Sequence, residues 1–444
     1  MERIEEALAR GARLHPQRLA VTDGRTELTY AGLWQQCSQR AGELSRTLRP
    51  GHIRLLPASQ SAGFLVEYLA THLAGAVAAP LEPDLPLQRR QELEQLCAGS
   101  PLTPDMADVM YTTGTTGAPK AVVVPHHALV ANADNLARAQ GFTPDLTFVI
   151  AGPLSHIGSL SKVWPVLWVG ASLHILPGLS QPPLFFQTIQ QATTSKVATF
   201  LVPAQLRMLM RMADGQLATC ADKLDFIETG AAPMAHADMQ RLGQLLPHTR
   251  LYNTYASTET GIVATYDFND GECQEACVGT PMYHSRIQIT PEGRVACAGP
   301  TLMHGYLGQP ELTREVLHDG WLYTADAGYM DSQGRLRLTG RADDIINVGG
   351  YKVSPVEVEG AALALPQVDD CICIARPHPL MGQCLLLLVV MAEGYTLQPA
   401  DMARQLSARL QAHKVPQAYK AVEHIERTFN GKPNRKYYQG KETL

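Results

Sequence analysis

The sequence predicts an α/β protein: a large N-terminal domain of layered sheets and helices that includes a small β-barrel, followed by a smaller α+β domain. Three observations carry that expectation. Short apolar runs alternate with helical-period stretches up to about Glu272; short alternating pieces broken by Gly and Asp then run to Gly340; beyond Arg341 helix and strand signals start afresh. At roughly 150 residues per domain, the 444 residues leave room for two or three such units.

In chain order, RLAVTD reads as a strand, YAGLWQQCSQRAGELSRTL as a helix, HIRLLPAS as a strand, FLVEYLATHLAGA as a helix and VAAPL as a strand. That rhythm marks largely parallel sheets. LTFVIAGPL, ASLHILPG, ATFLVPA and LDFIETGAAP continue it as apolar strands ending in Gly, Pro or Ala turns. Ligands of such sheets collect beyond the carboxyl ends of the strands, so the loops that follow are where chemistry is sought. SRIQIT, GRVACAGP and GRLRLTGR suit the antiparallel barrel or sheet. The last unit predicts a helix at PVEVEGAALAL, strands at DDCICIARP and QCLLLLVVMA, a helix at PADMARQLSARLQAH and a strand near AVEHIE. A boundary near Asp343 divides the chain into domains over 1–342 and 343–444.

Composition narrows the function. A net charge of -5, from 37 basic and 42 acidic residues, gives no general attraction to polyphosphate or to anionic membranes, so neither nucleic acid nor membrane is an expected partner. The longest apolar run, Cys384 to Ala392, is far short of the roughly 20 residues that cross a bilayer. The N-terminus mixes Glu with Arg and has no secretory apolar block, so a cytoplasmic location is expected. Nine cysteines, an odd number, read as reduced thiols. Cys273, Cys277 and Cys297 with His284 do not match the common zinc spacings, and Cys371 and Cys373 read as small core residues on one face of a strand.

The segment Tyr111-Thr112-Thr113-Gly114-Thr115-Thr116-Gly117-Ala118-Pro119-Lys120 follows a strand-like ADVM. Four threonines, two glycines and a lysine without a carboxylate make a loop suited to wrapping phosphates. It is not a Walker A loop, because the spacing differs and Ala121 follows the lysine where Ser or Thr is required.

This loop resembles the YTSGTTGxPKG signature of the ANL superfamily of adenylate-forming enzymes. Further segments match in order: LTYAGL, AGAVAAPLEP, Gly230-Ala231-Ala232-Pro233, Tyr255-Ala256-Ser257-Thr258-Glu259 (similar to YGxTE), Gly320-Trp321-Leu322-Tyr323-Thr324-Ala325-Asp326 (GWxxTGD), Gly340-Arg341-Ala342-Asp343-Asp344 (GRxDD) and Asn430-Gly431-Lys432 (NGK). The resemblance covers nearly the whole chain. It implies an AMP-forming acid-thiol ligase that uses ATP and Mg²⁺. The acid is first joined to AMP with loss of pyrophosphate, and its acyl group then passes to a thiol as the C-terminal domain rotates.

By the same resemblance, Thr112, Thr113, Gly114, Thr115, Thr116, Gly117 and Lys120 hold the β and γ phosphates. Thr258 meets the α-phosphate; Glu259, with Thr116, anchors Mg²⁺. Tyr255 stacks on adenine beside Gly230, Ala231 and Ala232, while Asp326 accepts from the ribose hydroxyls with Arg341 nearby. Lys432 is the catalytic lysine, Asp343 the hinge, and Gly349 and Gly350 face the incoming thiol. Such a site must neutralise a triphosphate and align a carboxylate oxygen with phosphorus, so donors and cations must dominate it. Ala121, Ala256 and Ala325 stand where Gly is usual, Asn347 where many members have Lys, and the stretch before the phosphate loop is short.

PLSHIGSL resembles the PLFHxxGL of acyl- and aryl-CoA ligases, which makes His156 a catalytic and acid-binding residue; no Asp for an amino-acid ammonium is present. Phe200, Thr229, Thr254, Ala256 and Ile262 complete a mainly apolar pocket suited to an aryl or a short to medium acyl acid. Lys162 either pairs with a second substrate carboxylate or snorkels at the surface. With no Ser motif for phosphopantetheine, the expected acceptor is CoA or the phosphopantetheine thiol of a separate acyl or peptidyl carrier protein. Two other functions compete: a luciferase-like oxidoreductase acting on an acyl-AMP, and an inactive binding or scaffold module, which the retention of Thr116, Lys120, Glu259, Asp326, Arg341 and Lys432 disfavours.

Overall fold

The computed structural model describes residues 3–99, 102–112, 120–341, 344–427 and 433–438. Apolar runs become strands where both faces are covered: every residue of Val77–Leu81 and of Leu146–Ile150 is buried. Between them the helical stretches start at hydroxyl caps. Thr29 accepts from the Gly32 amide ahead of Tyr30–Leu44, and Ser61 from the Phe64 amide ahead of Ala62–Leu73.

The N-terminal domain holds two sheets. The larger runs, in spatial order, through Glu27–Thr29, Leu19–Thr22, Ser172–Ile175, Leu146–Ile150, Lys196–Phe200, Leu224–Gly230, Arg250–Ser257, Gly261–Asp267, Cys277–Pro281, Leu336–Arg341, Trp321–Met330, Arg294–Ala298 and Arg286–Ile289. From Leu19–Thr22 to Arg250–Ser257 its strands are parallel. The smaller sheet orders Gly305–Tyr306, Lys120–Pro125, Met106–Thr112, Val77–Leu81 and Ile53–Pro57. Phe148, Phe226 and Trp164, all fully buried, anchor the core between sheets and helices.

Of the expected barrel or sheet, the antiparallel stretch forms the sheet. Its strands continue the large sheet through the pairing of Ala264 with Pro281 and Thr265 with Thr280, and among the described residues Arg286–Ile289 ends the ladder rather than closing a ring. Alternating polarity specifies antiparallel pairing but not which edge a strand joins.

The smaller C-terminal domain is a sheet of Tyr351–Val353, Ile346–Val348, Gly382–Met391 and Val368–His378, with Ala418–Ala421 parallel to Gly382–Met391. Its helices are Pro355–Leu363 and Pro399–Ser407. The last strand runs into the first residue of AVEHIE, and the second helix stops at Ser407, followed by a 3₁₀ turn at Ala412–Lys414. Among the described residues no helix is long and apolar enough to cross a membrane.

Candidate active site

Leu146–Ile150, Lys196–Phe200, Leu224–Gly230 and Arg250–Ser257 are adjacent and parallel, so their carboxyl ends share one edge. The loop carrying His156 leaves the first of them. Gln60 fixes that loop: its side-chain amide donates to Gly152 O (2.9 Å) and Leu176 O (3.0 Å) and accepts from the Leu154 amide (2.9 Å). His156 is half-buried just before the short helix Ile157–Leu160.

Beside it, a Cβ on Gly158 would stand 3.1 Å from the Phe200 ring, and one on Gly230 would stand 2.7 Å from Thr254 O. Backbone and ring approach too closely there for a side chain. Ala231, next in the Gly-Ala-Ala-Pro turn, sits at φ 66°, a left-handed conformation that costs energy for a non-glycine residue. Ala232 and Ala256 are half-buried alongside.

Lys162 neither faces a free pocket nor snorkels. It is fully buried, with Nζ 2.7 Å from Glu228 Oε1 and 5.1 Å from the Phe200 ring centroid. Burial lowers the lysine's proton affinity while Glu228 opposes that shift.

On the nucleotide side, Tyr255 donates its hydroxyl to Asp326 Oδ2 (2.7 Å), and Asp326 pairs with Arg341 across the ladder Trp321–Met330/Leu336–Arg341. Burial, reinforced by the Asp326 charge, holds the Tyr255 phenol protonated. Thr112 and Lys120 are the last register pair of the hairpin Met106–Thr112/Lys120–Pro125. Thr113, Gly114, Thr115, Thr116 and Gly117 lie outside the described residues.

Lys120 Nζ lies 5.1 Å from the Tyr306 ring centroid, and Tyr306 donates to Glu259 Oε1 (3.1 Å). A strap of residues 301–307 makes this meeting possible. Thr301 Oγ1 donates to Thr260 O, the Met303 amide to Glu259 O, the His304 amide to Val123 O and the Leu307 amide to Ala121 O, at 2.8–2.9 Å. It therefore fastens the turn bearing Thr258 and Glu259 to the lysine strand. Among the described residues Glu259 has no ion-pair partner.

Several buried polar atoms here lack any partner: Ser155 Oγ, Thr229 Oγ1, Glu228 Oε2 and Arg341 Nε. Folding seldom leaves such atoms unsatisfied, so each has hydrogen-bonding capacity left for a water or a ligand. Thr254 and Ile262 behave differently. The Thr254 hydroxyl is engaged by Thr265 (2.9 Å) and Gln140 (3.3 Å), and Ile262 is packed in the core with its backbone held by Asn132 and Asn135.

Gly349 and Gly350, at φ 57° and 95°, form the two-residue turn between Ile346–Val348 and Tyr351–Val353, which by itself demands positive φ. Asp343 and Lys432 lie outside the described residues. The base of the Lys432 segment is fixed, however: Arg427 bridges Pro433, and Arg435 Nη2 lies 2.5 Å from the buried Glu359. Sequence reasoning missed Gln60, Glu228, Tyr306, Glu359 and Arg435. A charge inside an apolar strand, as in LDFIETG, was the available signal for Glu228.

Residues 8–100 and 91–307 match the family described as AMP-binding enzyme, and residues 357–432 match the AMP-binding enzyme C-terminal domain. A feruloyl-CoA synthase from an Amycolatopsis species is 26% identical over 95% of this chain and 96% of its own length. A malonate–CoA ligase from Homo sapiens is 28% identical over 74% of this chain and 64% of the ligase. Among solved structures, ATP-bound MatB from Rhodopseudomonas palustris shares the fold, with a TM-score of 0.89 at 24% identity over 99% of each chain.

Proposed function

The chain belongs to the AMP-binding enzyme family, the adenylate-forming enzymes of the ANL superfamily, and from that premise we propose that it is an AMP-forming acid–CoA ligase acting on an aryl or a short to medium acyl acid without a second anionic group. The observation that carries the reading is the strap of residues 301–307, which brings Lys120 to the ring of Tyr306 and Glu259 to its hydroxyl. A cation for phosphate and a carboxylate with no ion-pair partner among the described residues are what ATP activation needs.

In this reading Thr112, the loop 113–117 and Lys120 hold the β and γ phosphates, and Thr258 holds the α-phosphate. Glu259 and Thr116 would hold Mg²⁺, which neutralises phosphate charge when bound. Tyr255 and Asp326 take adenine and ribose, and the orphaned Arg341 Nε supplies a donor beside them. His156, Phe200 and Thr229 line the acid. The carboxylate oxygen attacks the α-phosphorus and pyrophosphate leaves, with Lys432 stabilising the charge that moves between the oxygens. The thiol sulfur of CoA then attacks the acyl carbonyl, AMP leaves, and the thiol proton passes to solvent. Asp343 serves as hinge between the two steps, and Gly349 and Gly350 admit the thiol.

The Lys162–Glu228 pair supports the choice of acid. Because Glu228 already neutralises Lys162, a second substrate carboxylate would meet a filled ion pair and the free Glu228 Oε2. That favours a feruloyl-type over a malonyl-type substrate. Carboxylate-dependent exchange of pyrophosphate into ATP, run over aryl, short, medium and long acyl acids, dicarboxylates and amino acids, tests this. Exchange with one neutral-tailed acid class, followed by CoA-dependent thioester formation, is expected. ATP binding without exchange for any acid would refute the ligase reading, and preferential exchange with dicarboxylates would refute the substrate class.

A further inference from the structure

The hairpin Met106–Thr112/Lys120–Pro125 carries the phosphate loop at one end. About 20 Å away along the strands, its other end meets a buried cluster that adenylation does not use. We propose that Glu5, His72 and His126 bind a divalent cation of the zinc class, with Asp108 orienting His72. The three come from separate helices, Ile4–Leu14, Ala62–Leu73 and His126–Gln140, and one ligand atom from each lies within 4.8 Å of the others. Two imidazoles and one carboxylate suit zinc, cobalt or nickel, with water as a fourth ligand.

Two atoms are orphaned in the protein alone. Glu5 Oε2 and His126 Nδ1 are buried without any hydrogen-bond partner, 3.9 Å apart. Two ligands of one tetrahedral zinc ion stand about 3.4 Å apart, so a small side-chain adjustment brings both onto one ion. The third ligand is already oriented. His72 Nε2 lies 3.0 Å from Asp108 Oδ1, and Asp108 also accepts from the Tyr68 hydroxyl (2.9 Å), which in turn accepts from Trp164 Nε1 (3.2 Å). A carboxylate on the far nitrogen is the usual outer support of a metal-binding histidine. The near nitrogen, His72 Nδ1, lies 2.6 Å from Glu5 Oε1, a contact that must open by under about 1 Å for both atoms to reach one ion.

Charge bookkeeping favours the ion. Glu5 and Asp108 bring two carboxylates into a buried site, and a dication with neutral imidazoles balances their charge. A cleft of about 180 Å³ is lined by Glu5 and His72 together with Arg3, Glu6 and Trp34, whereas His126 stands outside its lining. Binding is an exchange: the cation enters, the His72 Nδ1 proton leaves to solvent, and no bond is otherwise made or broken.

Full-length protein freed of metal by a chelator, then titrated calorimetrically with zinc in magnesium-containing buffers of different ionisation enthalpy, should take up one equivalent and release about one proton. Asp108→Asn should weaken binding about 10- to 100-fold, and His126→Gln should abolish stoichiometric uptake. Cys273→Ser, which removes the thiol 3.8 Å from His236 Nδ1, should change nothing. Cobalt binding to the unmutated protein gives a readout independent of how the variants fold: a tetrahedral nitrogen–oxygen spectrum without a thiolate band. No zinc uptake, uptake that survives in folded His126→Gln, loss of uptake in Cys273→Ser, or a thiolate band would each overturn the proposal and leave a proton-locked ionic network.

Discussion

Lys162→Met takes the cation from a pair in which both residues are 1% exposed and the atoms lie 2.7 Å apart. Glu228 would lose the cation beside it in a site where Oε2 already lacks a partner among the described residues. Breaking a buried pair from one side costs about 3–5 kcal/mol, whereas replacing both partners by apolar groups of similar size is close to neutral. The unfolding entropy is about 2.1 cal/mol/K per residue. Over roughly 340 residues of the large domain, a loss of about 4 kcal/mol lowers Tm by about 5–6 °C. Glu228→Met should cost less, since a buried lysine can shed its proton, and burial already moves Lys162 in that direction. The double variant Lys162→Met/Glu228→Met should recover most of the loss. Circular dichroism melts and urea unfolding of the four proteins close the cycle. A Tm for Lys162→Met within a degree of the parent, or a double variant as unstable as the sum of the singles, would refute the argument.

Lys432→Ala should nearly abolish acyl-AMP formation while ATP binding and the melting profile stay close to the parent's; wild-type exchange would remove the lysine from the chemistry. Tyr255→Phe keeps the ring but deletes the 2.7 Å bond to Asp326. It should raise the KM for ATP about fivefold, the equivalent of about 1 kcal/mol, with kcat less affected, and an unchanged KM would count against Asp326 as the ribose acceptor. Burial pushes the Glu359 carboxyl from 4.5 up to about 7 despite Arg435 beside it. The folded protein therefore holds a proton that the unfolded chain has released between those values, and this contribution to stability falls as pH rises from 4.5 through 7. Glu359→Gln should flatten the fall of Tm across that window; an identical slope in both proteins would place the titration elsewhere.

How much was legible follows from what each feature depends on. Val77–Leu81 and Leu146–Ile150 read as strands because burial on both faces writes an unbroken apolar run. The candidate site residues were legible where several unusual residue types stand in a row, as in the stretch from Tyr111 to Lys120. Tyr306 was not, because its role arises from a strap that joins the two sheets, and no local pattern encodes that partnership. Lys162 failed for the same reason: a lone lysine reads as solvated until a carboxylate 66 positions away is known to meet it. The final strand, Ala418–Ala421, carries Tyr419 and Lys420, and its parallel pairing with Leu386–Val389 outweighs a weak local preference.

The fold also separates residues that a motif alone treats alike. Thr229 and Thr254 both fall in the expected acid pocket, on neighbouring paired strands. The hydroxyl of Thr254 is satisfied by Thr265 and Gln140, so it stabilises the junction of the sheet with the helix His126–Gln140. The hydroxyl of Thr229 is buried and satisfied by nothing in the protein. An unpaired buried polar atom costs about 1–3 kcal/mol, a cost that a ligand can remove and packing cannot. In the proposed reading Thr229, Ser155 and Arg341 keep polar atoms free for what the enzyme binds, while Thr254 and Ile262 are already engaged in the frame. The same criterion, applied at the far end of the phosphate-loop hairpin, singles out Glu5 and His126. Their orphaned atoms ask for a cation where those of the active site ask for a nucleotide and an acid.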